Sequence, residues 1–376
     1  MIESFEILEA VNLRLSVVNM SKVVVAMSGG VDSSVAAALL KQQGHDVTGI
    51  MLRLWSEPGK ENSNRCCTPD AMAQARRVAA RLDIPFYVVD AKEVFHQTIV
   101  EFFLDGYAKG ETPNPCLMCN RHIRWEFLLN HALALGAEFM ATGHYVRRRV
   151  AVDGRIELLK AVDPAKDQSY VLHVMTQEKL AQALFPVGDY PKPEIRQIAA
   201  EFGLPTASRA DSQDLCFLAG DDYRNFIQRN APEIATCGPI VTRDGRLLGQ
   251  HTGLPYYTIG QRKGLGFTSP LPMYVLGKDA PTNTLIVGTL DELGQHELLA
   301  YNINWTGGIV PTEPFRAHVK TRYTAKEAPA EVTPLDNGTR ARVRFDAPQR
   351  DITPGQAAVF YHGDIVMGGG VIISAR

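Results

Sequence analysis

The sequence predicts an α/β fold with a parallel sheet, followed by a small β-rich central domain and a C-terminal β-barrel. Three observations carry this expectation. Short β-branched runs alternate with helical stretches from Val23 to about Tyr145, the pattern of a parallel sheet covered on both faces with ligands at the carboxyl ends of its strands. The stretch between about Ile240 and Val287 is dense in Gly and Pro. Beyond about Ala300, short runs recur between turn clusters, which favours a barrel or sandwich. A length of 376 residues suits two or three domains, placed at 21–222, 223–295 and 296–376 behind an N-terminal extension at 1–20.

The elements follow in order. Residues 23–27 form a continuous apolar strand, 33–43 a helix stopped by Gly44, and 47–54 a second strand. Thr68 caps a helix over 69–82, which leads into a strand at 86–89. Helices over 93–107 and 123–135 precede the apolar run 139–142. Helical character returns at 178–184 and 192–202, the latter closed by Gly203 and Pro205, before a Ser-, Asp- and Gly-rich loop at 208–222. Strands are expected at 315–321, 340–345 and 357–361. The chain shows neither an internal repeat nor a low-complexity tract.

Composition excludes several classes. Thirty-nine Lys and Arg against 41 Asp and Glu give a net charge of -2, with 45% apolar and 21% charged residues, which argues against disorder, collagen and a globally basic nucleic-acid coat. No apolar run approaches the roughly 18 residues of a membrane span. The first twenty residues carry Glu3, Glu6 and Glu9 against Arg14 and hold no export pattern, so a cytoplasmic protein without a membrane partner is expected. Met20 stands just before the first strand, so residues 1–19 read as a loosely held extension or as upstream sequence. Six cysteines are too few for a disulfide framework and read as chemistry in a reducing compartment.

Directly after the first strand comes Ser28-Gly29-Gly30-Val31-Asp32-Ser33. Glycines let backbone N–H groups approach phosphate oxygens, Ser hydroxyls donate, and the N-terminus of the following helix supplies partial positive charge. The loop lacks the Gly-Lys-Ser/Thr ending of a P-loop and the glycine triplet of dinucleotide-binding folds. Pyrophosphate is therefore its expected ligand, with Asp32 organising Mg2+.

This loop resembles that of the ATP pyrophosphatases. Thr112-Pro113-Asn114-Pro115, Cys119-Asn120, Ala141-Thr142-Gly143-His144-Tyr145, Lys166-Asp167-Gln168-Ser169-Tyr170, Leu184-Phe185-Pro186-Val187-Gly188 and Gly260-Gln261-Arg262-Lys263-Gly264-Leu265-Gly266 together resemble one family within that group, the bacterial tRNA-specific 2-thiouridylases (MnmA). The likeness runs in the same order from about Lys22 to the last residue. It implies an ATP-pyrophosphatase domain of the adenine nucleotide alpha hydrolase-like type, and ATP-dependent replacement of the C2 oxygen of uridine 34 in the tRNA anticodon by sulfur, with release of AMP and pyrophosphate. ATP, with Mg2+, would lie at Ala26, Met27, Ser28, Gly29, Gly30, Val31, Asp32 and Ser33, together with Leu52 and Gly143. The partners implied are a tRNA with uridine 34 and a sulfur donor, either a persulfide relay protein or sulfide. Two alternatives stay open: another tRNA thiolase of the group, making 2-thiocytidine or 4-thiouridine, and a nucleotide-regulated RNA-binding module without turnover.

Sulfur transfer needs thiolates. Cys116 and Cys119 lie in Pro113-Asn114-Pro115-Cys116-Leu117-Met118-Cys119-Asn120, read as a loop entering a helix near Arg121, and Cys216 lies in Ser212-Gln213-Asp214-Leu215-Cys216-Phe217. By resemblance Cys216 carries a persulfide and Cys119 is its catalytic partner, the two ending as a disulfide. Where many members have Asp, this chain has Cys116, which creates Cys-x-x-Cys. Cys116, Cys119 and Cys216 then supply three ligands for a [4Fe-4S] cluster with one iron open to sulfide, the favoured expectation, with persulfide relay and a Cys116–Cys119 redox pair as alternatives. Cys66-Cys67 and Cys237 have no assigned chemistry, although the vicinal pair would suit an auxiliary thiol site.

Eight basic residues against four acidic ones between Arg316 and Arg350 give a local +4, a stripe suited to phosphate. Arg147, Arg148 and Arg149, and Gln261-Arg262-Lys263, offer two further patches. The resemblance places tRNA contacts at His144, at Lys166, Asp167 and Gln168, at Arg322 and Tyr323, and at Gln356, with Asn114, Pro115 and Cys116 near the target base.

Overall fold

The computed structural model describes residues 20–60, 68–210, 215–350 and 352–375. The expected extension at 1–19, the vicinal pair Cys66-Cys67 and Ser212-Gln213-Asp214 lie outside the described residues.

The first unit is a five-stranded parallel sheet. Strands β1 (Lys22–Ala26), β2 (Asp46–Arg53) and β3 (Phe86–Asp90) extend it in one direction, and β4 (Phe139–Thr142) pairs with β1 on the other side. Val23, Val24 and Val25 are wholly buried, as the continuous apolar run requires of a strand covered on both faces. Helix α1 (Val31–Gln42) wholly buries Val35, Ala36, Ala37 and Ala38, and small side chains there allow close packing on more than one side. Helix α2 (Pro69–Leu82) begins as expected, with the Thr68 hydroxyl accepting from the Ala71 amide at 3.0 Å. Thr68→Ala should therefore lower stability by about 1 kcal/mol, read as a lower denaturant midpoint with an unchanged slope.

Several elements differ from expectation. The helix read over 93–107 is a composite of Lys92–Phe95, a π-helical turn His96–Val100 and Glu101–Ala108. The one read from 123 starts earlier, at Pro115–Met118, and continues as a π-helical segment Cys119–Leu128 into Leu129–Ala134. Its start follows the Asn-then-Pro rule of helix N-termini, with Asn114 as cap and Pro115 in the first position. The run 146–160, read for its arginines, is a hairpin of β5 (Val146–Val150) and β6 (Ile156–Lys160) turning at Asp153-Gly154. The helix read over 178–184 ends at Ala181, and β7 (Ala183–Leu184) then adds to β4 as the outer strand. Helix α3 (Lys192–Glu201) packs against α1.

Helix α4 (Tyr223–Asn230), capped by Asp222, leads to the central unit, a four-stranded sheet of β8 (Gly238–Thr242), β9 (Leu247–His251), β10 (Tyr274–Asp279) and β11 (Thr284–Gly288) around Ile240, Val275, Leu285 and Val287. The last unit is a closed six-stranded barrel. Strands β12 (Gln295–Trp305), β13 (Phe315–Lys320), β14 (Ala328–Leu335), β15 (Arg340–Gln349), β16 (Ala357–His362) and β17 (Ile365–Ala375) run in the order β12-β15-β14-β13-β16-β17, and β17 returns to β12. The expected α/β domain, small β-rich unit and barrel are all present. A single register pair, Ile365 to Leu159, joins the hairpin β5–β6 to β17. Tyr170 strengthens that junction, its hydroxyl donating to the Ala357 carbonyl at 3.0 Å and accepting from the Ala357 amide at 3.1 Å. No helix among the described residues is long and apolar enough to cross a membrane.

Candidate functional site

The order β3-β2-β1-β4-β7 changes direction between β1 and β4, and open parallel sheets bind ligands in the crevice beyond the carboxyl ends of strands at such a switch point. Residues 27–33 leave β1 into this crevice. Met27 stays tied to the sheet through its amide and the Ile50 carbonyl at 2.8 Å. Gly29 has φ +74°, and a Cβ there would meet the Ala71 carbonyl oxygen at 2.3 Å, so only glycine fits. Gly30 caps α1, its carbonyl accepting from the Ser34 amide at 3.3 Å and hydroxyl at 2.7 Å, while the Ser28 amide donates to Ser33 Oγ at 3.2 Å. Gly143, following β4, abuts the same helix start, where an added Cβ would lie 2.6 Å from the Ser33 nitrogen. Ala26 to Ser33 and Gly143 thus converge at one helix N-terminus, and Leu52 lies half-buried near the exit of β2.

Asp32 is held by two partners that sequence reasoning did not name. Lys192 Nζ lies 2.6 and 2.9 Å from its carboxylate oxygens, and the Tyr145 hydroxyl donates to it at 2.7 Å. The Lys192 ammonium also stands 5.5 Å from the Tyr145 ring centre. Lys192 is 7% exposed, a cation buried in the first turn of α3. The positive end of a helix disfavours a cation, and that mismatch, Pro191-Lys192-Pro193 at a helix start, was the signal available in the sequence. Tyr145 is fixed from behind by Gln168, whose Oε1 accepts from the Tyr145 amide at 2.9 Å and whose own amide donates to the Tyr145 carbonyl at 2.9 Å.

The cysteines occupy two environments. Cys116 is exposed in the first helical turn behind Asn114, whose Oδ1 accepts from the Cys116 amide at 3.1 Å. Cys116 therefore receives the partial positive charge of the helix start, which had been expected nearer Arg121. It stands near Tyr323, whose hydroxyl is held above its usual range by burial, then by Asp167 and by Cys116 itself. Cys119 opens the π-helical segment, a geometry frequent at functional sites. Cys119 and Cys216 are half-buried and pack against the same apolar cluster, which contains Phe95, Phe103, Phe217 and Phe226. Among the described residues no three His, Cys, Asp or Glu side chains are grouped so as to hold a metal ion. As placed here, Cys116, Cys119 and Cys216 therefore do not form the three-thiolate metal site expected of them.

The predicted RNA contacts divide similarly. Asn114, Pro115, Cys116 and Tyr323 meet where the first unit touches the barrel. The Gln356 amide nitrogen reaches the Thr112 carbonyl at 2.7 Å, and Tyr323 lies 6.1 Å from Tyr170. Lys166 and Asp167 sit half-exposed beside them, and the Asp167 carboxylate accepts from the Ala161 amide at 3.0 Å and the Ser169 hydroxyl at 2.7 Å. His144 is not on this surface. It is 6% exposed, with Nδ1 at 2.7 Å from Thr142 Oγ1 and Nε2 at 3.3 Å from Arg124 Nη1. Because the guanidinium can only donate, Nε2 accepts and Nδ1 carries the proton. Burial, then Arg124, holds its pKa well below the usual histidine range, so the ring is neutral at pH 7.

Two basic patches are corrected. Arg147 pairs with Asp364 at 2.9 Å, Arg148 donates to the carbonyls of Leu180, Ala181 and Ala183, and Arg149 pairs with Glu157, so these arginines fasten the hairpin. On the barrel, Arg342 and Arg344 face outward between buried Ala341, Val343 and Phe345, but Arg344 stands opposite Glu297 and Glu331. Arg316 and Arg340 pair with Asp346 and Asp336. Part of the stripe's positive charge is thus met by carboxylates of the barrel itself. Basic character is also found in a cleft of about 1050 Å³ between α4, the central unit and the barrel, where Arg224, Lys263 and Arg322 line the wall with Gln261, Tyr256 and Tyr257, and no carboxylate among the described residues does. Arg322 Nη2 donates to the Ile259 carbonyl at 3.0 Å, which fixes the cleft floor.

Comparison with known proteins agrees with this division of the chain. Residues 21–220 match the family described as "tRNA methyl transferase HUP domain", residues 224–289 its "PRC-barrel domain" and residues 295–372 the "Aminomethyltransferase beta-barrel domain". The chain is 49% identical over 354 residues to the tRNA-specific 2-thiouridylase MnmA of Magnetococcus marinus, covering 94% of this chain and 99% of that one. It is 50% identical over 354 residues to the protein of the same name from Moorella thermoacetica, with 93% and 99% covered. Identity to that of Geobacter metallireducens is 47% over 359 residues, with 94% and 97% covered.

Proposed function

The chain belongs to the tRNA-specific 2-thiouridylase family, and from that premise we infer that it carries out ATP-dependent replacement of the C2 oxygen of tRNA uridine 34 by sulfur. Near-full-length identity of about one half to relatives bearing that name carries the inference. The nucleotide crevice supports it independently, since a glycine turn, a helix N-terminus and a buried lysine together suit a polyphosphate.

In this reading the backbone amides at 29–33 and Lys192 hold the phosphates of ATP. Asp32 is the carboxylate placed to take Mg2+, which supplies charge neutralisation at the phosphates when bound. The C2 oxygen of the uridine attacks the α-phosphorus, pyrophosphate leaves, and a poor leaving group becomes AMP. Leu52 would pack on the nucleotide, and Gly143 keeps room for it beside Ser33.

The sulfur step is assigned to Cys119 and Cys216, which share an apolar surface. The terminal sulfur of a Cys216 persulfide attacks C2 and expels AMP. The Cys119 thiolate then attacks Cys216 Sγ and breaks its bond to the transferred sulfur, which stays on the base with that electron pair. A Cys119–Cys216 disulfide remains for a dithiol reductant to open. The persulfide comes from a donor protein or a small persulfide in the cytoplasm. The base is held by Asn114, Pro115, Cys116 and Tyr323, with Lys166 and Asp167 beside them and Gln356 fixing the Thr112 segment. Gln168 acts through Tyr145, and His144 positions Arg124.

The test is direct: tRNA incubated with ATP, Mg2+ and a persulfide should yield 2-thiouridine at position 34 by nucleoside mass spectrometry. Formation of 2-thiocytidine or 4-thiouridine, or none, would replace this reading with one of its rivals. Lys263→Ala should weaken tRNA binding and lower the slope of log K against log salt by about one unit. A slope equal to that of the parent would remove the cleft from the RNA surface.

A further inference from the structure

A polar network outside the reacting groups joins the exit of β2 to the turn that carries Cys216. Cys216–Leu218 is a single 3₁₀ turn with Phe217 and Leu218 buried. Its hydrogen bonds, Leu218 amide to Leu215 carbonyl at 3.2 Å and Asp221 amide to Leu218 carbonyl at 2.9 Å, lead directly to Asp221. The Asp221 carboxylate is fully engaged: Oδ2 takes Lys60 Nζ at 2.9 Å and Arg229 Nη2 at 2.8 Å, and Oδ1 takes the Asn225 amide nitrogen at 2.9 Å and the Asp222 backbone at 2.8 Å. Glu57, 12% exposed at its side chain, accepts from Arg229 Nε at 2.6 Å and Nη2 at 2.8 Å, and from Asn230 at 3.3 Å, with Lys60 at 3.3 Å. Two carboxylates therefore share two cations across three segments.

An apolar layer continues beneath it. Trp55 meets Phe226 edge-on at 6.3 Å, Phe226 meets Phe217 at 5.3 Å, and Leu54 is buried in the same cluster. That cluster also receives Cys119 and Cys216. Glu57 and Lys60 of the polar network lie on the segment that leaves β2 just after Leu54 and Trp55 of this layer.

We propose that Glu57, Lys60, Asp221 and Arg229 are positioning residues for sulfur transfer, holding the Cys216 turn in register with Cys119 and with the nucleotide end of β2. The proposal rests on the assignment of Cys216 as the sulfur-bearing residue. A bidentate Arg–carboxylate pair fixes direction as well as distance, and misplacing a reacting group by about 1 Å costs roughly 10²-fold in rate. Loss of the network should consequently slow the thiol step while leaving ATP activation of the tRNA unaffected.

The test uses full-length Asp221→Asn and Arg229→Gln proteins with tRNA, Mg-ATP and glutathione persulfide. Thiolation kcat should fall about tenfold or more with KM for tRNA and ATP unchanged. Single-turnover pyrophosphate release and melting temperature should stay at the parent values, the alkylation rate of Cys216 should change, and Arg229→Lys should recover part of kcat. Unchanged thiolation would overturn the proposal, and so would parallel loss of pyrophosphate release and thermal stability. Cys216→Ser separates the two layers of inference: if it thiolates normally, the underlying assignment fails. If it is inactive while Asp221→Asn is normal, only the positioning role fails.

Discussion

Lys192→Ala should lower tRNA-dependent pyrophosphate release by at least about 10²-fold, the range found when one preorganised donor to a developing charge is removed. Two effects act in the same direction. The crevice loses a buried ammonium, and Asp32, which that ammonium touches at 2.6 Å, becomes a half-buried carboxylate facing incoming phosphates with the Tyr145 hydroxyl as its remaining described donor. Lys192→Arg should retain more activity than Lys192→Ala, because it keeps a cation beside Asp32. Affinity for tRNA without ATP should be unaffected. Full pyrophosphate release by Lys192→Ala would place the phosphates elsewhere.

The second large effect concerns the thiols. Cys119→Ala and Cys216→Ala should each reduce 2-thiouridine formation below detection when iron-free protein is supplied with a persulfide, while pyrophosphate release in a single turnover continues. Cys116→Ala should keep substantial thiolation, because a relay between Cys119 and Cys216 does not require a third thiol. Loss of thiolation in all three variants together with bound iron in the parent would restore the cluster reading. The two outcomes are distinguished by iron content and by nucleoside mass spectrometry on the same samples.

Much of the nucleotide end was legible in the sequence because its determinants are local. A β-branched run, two glycines and the serines that flank them lie within a dozen consecutive residues, and the sheet at 22–53 and 139–142 follows from the same periodicity. Thr68 shows how far a local rule reaches, since the cap it suggested is present. What was not legible depends on distant partners. Lys192 is 160 positions from Asp32, and its meaning arises only when α3 packs on α1. The arginines at 147–149 read as an RNA patch because a charge run does not reveal Asp364 or the carbonyls at 180–183 that receive them. The barrel stripe is similar in part, since Arg316 is paired with Asp346, 30 positions away in the chain. Cys-x-x-Cys is of a different kind, because a ligand count in the sequence does not fix whether the distant Cys216 completes a metal site with it.

The closure of β12 onto β17 fixes an order of events during synthesis on the ribosome. Everything that shapes the nucleotide crevice, through Lys192 in α3, emerges long before Ile365–Ala375, without which the barrel is an open sheet with bare strand edges at β12 and β16 and an unmatched β6. Exposed edges of this kind recruit other strands, and nascent or truncated chains that carry them are prone to aggregate. A partly made chain would thus complete its parallel sheet and glycine turn well before the barrel surface around Tyr323 exists. Premature stops within the last strand should be disproportionately harmful, costing solubility of the whole polypeptide although they remove none of the reacting groups.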